Sequence, residues 1–468
     1  MSKKVLLKVL TLVLVSVLMV SIFAGCGGAK APADTETKDT SDTAKSSDTE
    51  KKADDTKAAE EKKEPVKLVF WNTTFKTSDD TGRFTKEELA FNKALKEFQE
   101  KNAHIKIEVV DQSYDNIPNL FKAAGLAKNG PDMAILWAGS FTNDYKDFIL
   151  PQDKYYTPEE IEKFQKLTMC RTNFKDDGGL LGTPIESTSL NIFYNKELFK
   201  KAGVDENANP ATWEEFIQMC QKLKDAGVTP LMLGDKEGWH STWIICEFLT
   251  DLYGPTEIFK YGTGEIKPTD PNFITAMQAW VDFQKLGFTN KDYYTMTSDD
   301  SKSKFLAGEA AMRIGGSWDT AEYADGLKEN AGTFMIPAIS KDAPFADYLC
   351  SQFSNNIVVT NYSAHPEEAM QFLKYITSPE FQKLHYEQTG NLPSRVDVDI
   401  SSDTNNPLAI TSFNWIKRNK NVIGFDSIMA PDACQEFYRL APLTIGMKMT
   451  VDEMSKHIQE KFDAGLKK

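Results

Sequence analysis

The chain is poor in several features that would give its chemistry away. Cysteine is scarce, and after Cys26 only Cys170, Cys220, Cys246, Cys350 and Cys434 remain, an odd number without paired spacing. That pattern does not make a disulfide framework. With no CxxC and no His-rich tract it offers no metal site either, and no cofactor is expected. These cysteines read as small buried hydrophobes. Positive charge is also short: 54 Lys and Arg against 68 Asp and Glu leave a formal net charge of -14. The chain therefore lacks the basic face that nucleic acid or an anionic membrane surface would require. No internal repeat and no local acid/base motif is visible. Residues 27–64 contain no aromatic side chain and no aliphatic one larger than alanine apart from Pro32. Such a segment buries too little apolar surface to order itself, so residues 26–64 read as a flexible linker.

What is present begins at the N-terminus. Lys3, Lys4 and Lys8 precede an apolar run over residues 9–23 that ends in Phe23-Ala24-Gly25-Cys26. A basic stretch, an apolar stretch and small residues before a cysteine read as an export signal over residues 1–25. The run is short for an uncleaved span across a ~30 Å hydrocarbon core. Ala24 and Gly25 ahead of Cys26 resemble the bacterial lipobox, with Phe23 an unusual occupant of its first position. The resemblance implies cleavage before Cys26, acylation of that cysteine with palmitate, and a mature protein tethered to the outer face of the cell membrane.

From residue 66 the pattern is that of a folded protein. Residues 66–71 form an apolar run suited to a buried parallel strand, residues 86–101 carry a helical stripe, and residues 105–110 alternate like a second strand. A helix over residues 114–128 leads through Gly130-Pro131-Asp132 into the strand 133–137. Strand, helix, strand, helix, strand with short links predicts an α/β sheet. Its strand ends deliver Asn72, Thr73, Trp137 and Ser140 to one edge. Thr212 and Glu215 form a capping box for a helix with Trp213 on its apolar face, and Trp280 lies on another helical face. Pro366 and Ser378 start two further helices.

Residues 305–319 are the stretch around which the rest is organised. A helix ends at Gly308, residues 310–314 read as a buried strand, and Gly315-Gly316 is expected to turn the backbone so that Ser317, Trp318 and Asp319 stand beyond its carboxyl end. A tryptophan face beside a carboxylate suits a ring with apolar faces and hydroxyl edges, which is what a sugar is. An indole plugging the core is the alternative.

Several stretches together carry a family resemblance: KLVFW at 67–71, PDMAILW at 131–137, YNKELFKKAG at 194–203, PATWEEF at 210–216, residues 305–319, and AMQFLK at 369–374 with Ser378-Pro379-Glu380. They resemble, in order, the extracytoplasmic solute-binding lipoproteins of ABC importers, the maltose-binding-protein-like family 1. The resemblance implies an α/β, two-lobed periplasmic-binding-protein fold, type II-like, with an interlobe ligand cleft. Lobe one would be residues 66–183 plus 340–385 and lobe two residues 184–339 plus 386–468, with crossings near 182–186, near 335–339 and after the Ser378 helix. It implies as ligand-binding residues Asn72, Trp137, Ser140, Glu186, Thr188, Trp318, Asp319 and Arg395. Trp239, His240 and Trp243 join them on composition alone.

The function implied is capture of a carbohydrate outside the cell and delivery to ABC permease subunits, by a monomer with no catalytic residues. The aromatic content leans toward an oligosaccharide. A secreted glycosidase remains an alternative if Glu186 and Asp319 meet across the cleft, since glycoside hydrolysis needs paired carboxylates. A sugar-sensing binding protein is another.

Overall fold

The computed structural model describes residues 64–466 apart from 80, 115, 166, 354 and 419. The expected signal peptide, Cys26 and all of the expected linker except Glu64 lie outside the described residues. Among the described residues twelve strands form two sheets. In chain order they are β1 (Val66–Asn72), β2 (Ile105–Asp111), β3 (Met133–Trp137), β4 (Thr183–Pro184), β5 (Glu186–Asn195), β6 (Leu231–Met232), β7 (Met312–Gly316), β8 (Ala331–Met335), β9 (Leu349–Phe353), β10 (Asn355–Val359), β11 (Leu392–Pro393) and β12 (Asn421–Val422).

The first sheet has the order β2-β1-β3-β10-β4. β1 runs parallel to both β2 and β3, as expected from the alternation of strand and helix, and β10 closes the sheet antiparallel to β3. Leu68, Phe70 and Met133 face a core completed by Phe91 and Phe98 of the helix Ala90–Lys101 and by Phe372 and Leu373 of the helix Pro366–Tyr375. Leu136, Phe121 and Val358 pack on the opposite face. Apolar side chains on both faces explain why these strands read as continuous apolar runs rather than alternating ones.

The second sheet is built on β5, all ten of whose residues are buried. β5 is antiparallel to β7, β8, β9 and β11, while β6 and β12 extend the sheet in parallel at its edges. The chain first passes between the sheets across Ile185, where β4 ends in one and β5 begins in the other. It returns between Phe353 and Asn355, whereas the sequence pointed to residues 335–339. The segment 335–339 instead ends β8, and Ile339 N–H donates to Asp251 Oδ2 at 2.8 Å. Pro337 stops the strand there without moving the chain to the other sheet. After the Ser378 helix the chain comes back again, and β11 pairs with β5.

Local signals hold where the chemistry is local. Ser378 Oγ accepts from Phe381 N–H at 3.2 Å, and Gly308 at φ +79° follows the last turn of its helix. Thr212 Oγ1 accepts from Glu215 N–H, but Glu215 reaches back to Ala211 N–H at 2.7 Å rather than to Thr212, so the expected capping box is displaced by one residue. Among the described residues no helix is long and apolar enough to cross a membrane.

Candidate functional site

A cavity of about 810 Å³ opens where the strand ends of both sheets meet the two crossings. That volume lies within the ~300–1,000 Å³ range of small-molecule sites. The first lobe supplies Thr73 and Thr74 after β1, Tyr114, Trp137 at the end of β3, and Phe141. The crossings supply Glu186, Phe353 and Asn355, the first or last residues of β5, β9 and β10. From the second lobe come Glu237, Trp239, Trp243, Trp318, Asp426 and Tyr438.

Each lobe presents aromatic rings. On the first, Trp137 packs edge-on against Phe141, with centroids 4.4 Å apart at 80°, and tilts against Tyr114 at 5.0 Å. On the second, Trp239 and Trp243 lie 4.7 Å apart, and Trp243 meets Trp318 edge-on at 5.3 Å. Trp318 remains 37% exposed despite its contact with Trp243. The Gly315-Gly316 pair does not turn the chain as expected, because both glycines are strand residues of β7. Their smallness serves the ring instead. A Cβ on Gly316 would stand 2.2 Å from Cη2 of Trp318, so glycine lets the indole fold back over its own strand. The turn is made one residue later, by a 3₁₀ segment over Ser317–Asp319.

His240 sits beneath this wall, fully buried. Its Nε2 is 2.7 Å from Ile314 O of β7, and its Nδ1 is 2.9 Å from Gly234 O and 3.2 Å from Gly234 N. Burial first, and then the nearby Arg313, lower its pKa to about 3. His240 thus bolts the Trp239–Trp243 segment to the strand that carries Trp318, and its ring does not line the cavity. Asp235 pins the same segment through Ser241 N–H at 3.0 Å and Ser241 Oγ at 2.5 Å; burial raises its pKa to about 7.

Asp319 is turned away from the cavity. It is held by Arg313 Nη1 at 3.4 Å and Lys302 Nζ at 3.3 Å, and burial raises its pKa more than those two cations lower it. Arg313 is itself buried and also donates to Tyr323 Oη and to Ser298 and Ser301. A buried cation with every donor used leaves its carboxylate partner no freedom to reach a ligand. Glu186 and Asp319 are therefore not a pair across the cleft.

Arg395 also lies off the cavity, clamped bidentately on Asp397 at 2.9 and 2.7 Å and stacked over Phe164 at 5.1 Å. Asn72 brackets the turn after β1, donating to Phe75 O at 2.8 Å and to Asp111 Oδ1 at 2.7 Å, which leaves Thr73 and Thr74 to face the cavity. Ser140 and Thr188 are buried behind the lining. The structure thus brings Trp137, Glu186, Trp239, Trp243 and Trp318 together and leaves Asn72, Ser140, Thr188, His240, Asp319 and Arg395 as supports or apart.

Tyr114, Phe141, Glu237, Asn355 and Tyr438 are lining residues that sequence reasoning missed. Asp426 is held by Tyr438 Oη–H at 2.9 Å and Ser427 N–H at 2.8 Å, and burial raises its pKa. The two lobes touch beside it, where a Cβ on Gly139 would stand 2.4 Å from Ser427 O.

Comparison with known proteins fits this geometry. The model of the bacterial extracellular solute-binding protein family matches residues 82–383. The chain belongs to that family. An ABC transporter extracellular-binding protein of Pyrococcus horikoshii is 28% identical over 407 residues, covering 85% of this chain and 82% of the relative. The sn-glycerol-3-phosphate-binding periplasmic protein of Pectobacterium atrosepticum is 30% identical over 227 residues, 46% of this chain and 48% of the relative, so the chain spans about half of that protein. Among solved structures, a chitin oligosaccharide binding protein superposes with a TM-score of 0.73 at 22% identity, covering 86% of this chain and all of the other. A binding protein in complex with raffinose gives 0.65 at 20%, covering 86% and 99%. The solute-binding protein therefore has the two-lobed α/β fold of periplasmic binding proteins, with the cavity in its interlobe cleft.

Proposed function

We propose that this solute-binding protein captures a carbohydrate, an oligosaccharide long enough to meet both aromatic walls, and delivers it to ABC permease subunits without chemical change. One observation supports the reading most: indole faces from both lobes border a single cavity in which Glu186, Glu237 and Asp426 are the charged groups. Aromatic faces pack on the C–H faces of sugar rings, and carboxylates accept their hydroxyl hydrogens. Phosphorylated polyols, such as the ligand named for the sn-glycerol-3-phosphate-binding relative, would need donors of opposite charge. Among the described residues no lysine or arginine lines the cavity. Hinge closure between the lobes would bury the sugar and present a closed form to the permease.

The protein would work as a monomer anchored outside the cell through lipid on Cys26, since residues 1–26 carry the export and lipobox pattern. Incorporation of labelled palmitate, lost in Cys26→Ser, checks the anchor. The carbohydrate reading is tested by thermal unfolding against a panel of mono- and oligosaccharides with sn-glycerol-3-phosphate alongside. A sugar at 100 times its Kd stabilises the protein by ~2.7 kcal/mol. A shift with the phosphate and none with any sugar would overturn the proposal.

A further inference from the structure

We infer that the cleft prefers an aminated carbohydrate, one whose rings carry protonated amines, over the neutral sugar of the same linkage; this rests on the carbohydrate reading above. The cavity's charge is one-sided. Glu186 is 7% exposed, and its Oε2 is buried with no hydrogen-bond partner. The nearest basic atom is Nε2 of His385, 3.9 Å away and itself without a hydrogen bond, on a ring held between Phe381 and Phe75. Glu237 accepts from Ser298 N–H at 3.2 Å. Asp426 is held by the phenol of Tyr438 and the amide of Ser427. Among the described residues no lysine or arginine pairs with any of these three carboxylates.

The cations nearby are committed elsewhere. Arg313 and Lys302 face Asp319, and Arg395 faces Asp397. A ligand must therefore supply the missing positive charge or leave the field uncompensated, and the attraction between opposite charges strengthens as water leaves a closing cleft. An ammonium group carries three donors where a hydroxyl carries one, which suits the unused acceptor of Glu186. The indole faces that would stack on the ring also attract a cation lying over them. Anionic sugars are disfavoured by the same field.

The test is calorimetric titration of the full-length protein with three β-1,4-linked disaccharides of one ring skeleton, at about pH 6 where amines are protonated. They are the glucosamine dimer, its di-N-acetylated form and cellobiose. The glucosamine dimer is expected to bind at least about tenfold tighter than either neutral sugar, with an advantage that shrinks as salt is raised. Glu186→Gln should lower affinity for the dimer more than for cellobiose. If that variant does not fold, the comparison on the native protein decides alone. Equal or tighter binding of a neutral disaccharide would overturn the amine preference and leave the carbohydrate reading standing. Binding of none of the three would overturn the amine preference, while the wider sugar panel decides the carbohydrate reading separately.

Discussion

The second lobe contains two clusters of tryptophan, and they differ in what is done with them. In one, Trp213 stacks on Phe216 at 4.9 Å and Trp280 on Phe283 at 5.1 Å, and the two indoles are 5% and 0% exposed. In the other, Trp239, Trp243 and Trp318 make contacts of similar length, yet Trp318 keeps 37% of its surface bare beside the cavity. The first cluster grows from the helices Trp213–Asp225 and Pro271–Lys285, whose apolar faces turn inward. The second stands at the end of β7 and the start of the helix Thr242–Glu257, where no further layer covers it. Identical side chains are fully packed in one place and border a cavity in the other because of the backbone position that carries them, and on the proposed function the second set would serve recognition.

Breaking the comparison at its core side gives the largest effect. Trp280→Ala removes a fully buried indole and should destabilise the protein by ~3–5 kcal/mol, read by denaturant unfolding, while the folded fraction keeps its affinity for sugar. An affinity lost in proportion would mean that the clusters are not separate in function.

A smaller effect concerns the ground under the cleft wall. Asp235 has a folded pKa of about 7, above its ordinary 3.8, because burial disfavours its charged form. Between those values the folded state holds more protons than the unfolded one. The stabilising contribution is therefore complete below about pH 4 and is lost as pH rises through 7, a change on the order of 2–4 kcal/mol. Asp235→Asn should flatten that part of the stability profile measured by thermal unfolding against pH. A slope unchanged in the variant would assign it to other groups, of which Asp251, raised to about 8 by burial, is the first to test.

The smallest change in stability and the clearest in function belongs to Trp318→Ala. Unfolding free energy should move by less than about 1 kcal/mol, since the ring is partly exposed, whereas sugar affinity should fall by roughly 10- to 100-fold, the loss expected for a central aromatic anchor. Unchanged affinity in titration would return Trp318 to a packing role.

These contrasts also mark how far the sequence could be read. Strand and helix identities around Trp137 and Trp318 were legible because periodicity, glycines and caps act within a few residues. The resemblance to solute-binding proteins supplied the two-lobed plan that periodicity alone does not carry. Partnerships between distant residues were not legible. Asp319 looks like a ligand-facing carboxylate until Arg313 and Lys302 are seen to hold it, and His240 until the carbonyl of Ile314, 74 residues on, is found on its Nε2. Arg395 differs, since its partner Asp397 is two residues away and an Arg-x-Asp clamp could have been suspected. Tyr438 and Glu237 were missed because nothing local separates a tyrosine or glutamate lining a cleft from one on any other surface.

The central claim is that ligand lies between the two aromatic walls with its polar edge on Glu186. A crystal structure of the protein with whichever sugar stabilises it most tests that directly. The prediction is a sugar ring stacked on Trp318, in reach of Trp137, with a hydroxyl or amine on Glu186. A sugar seated instead in the smaller cavity lined by Tyr348, Ser351 and Val422 would contradict it.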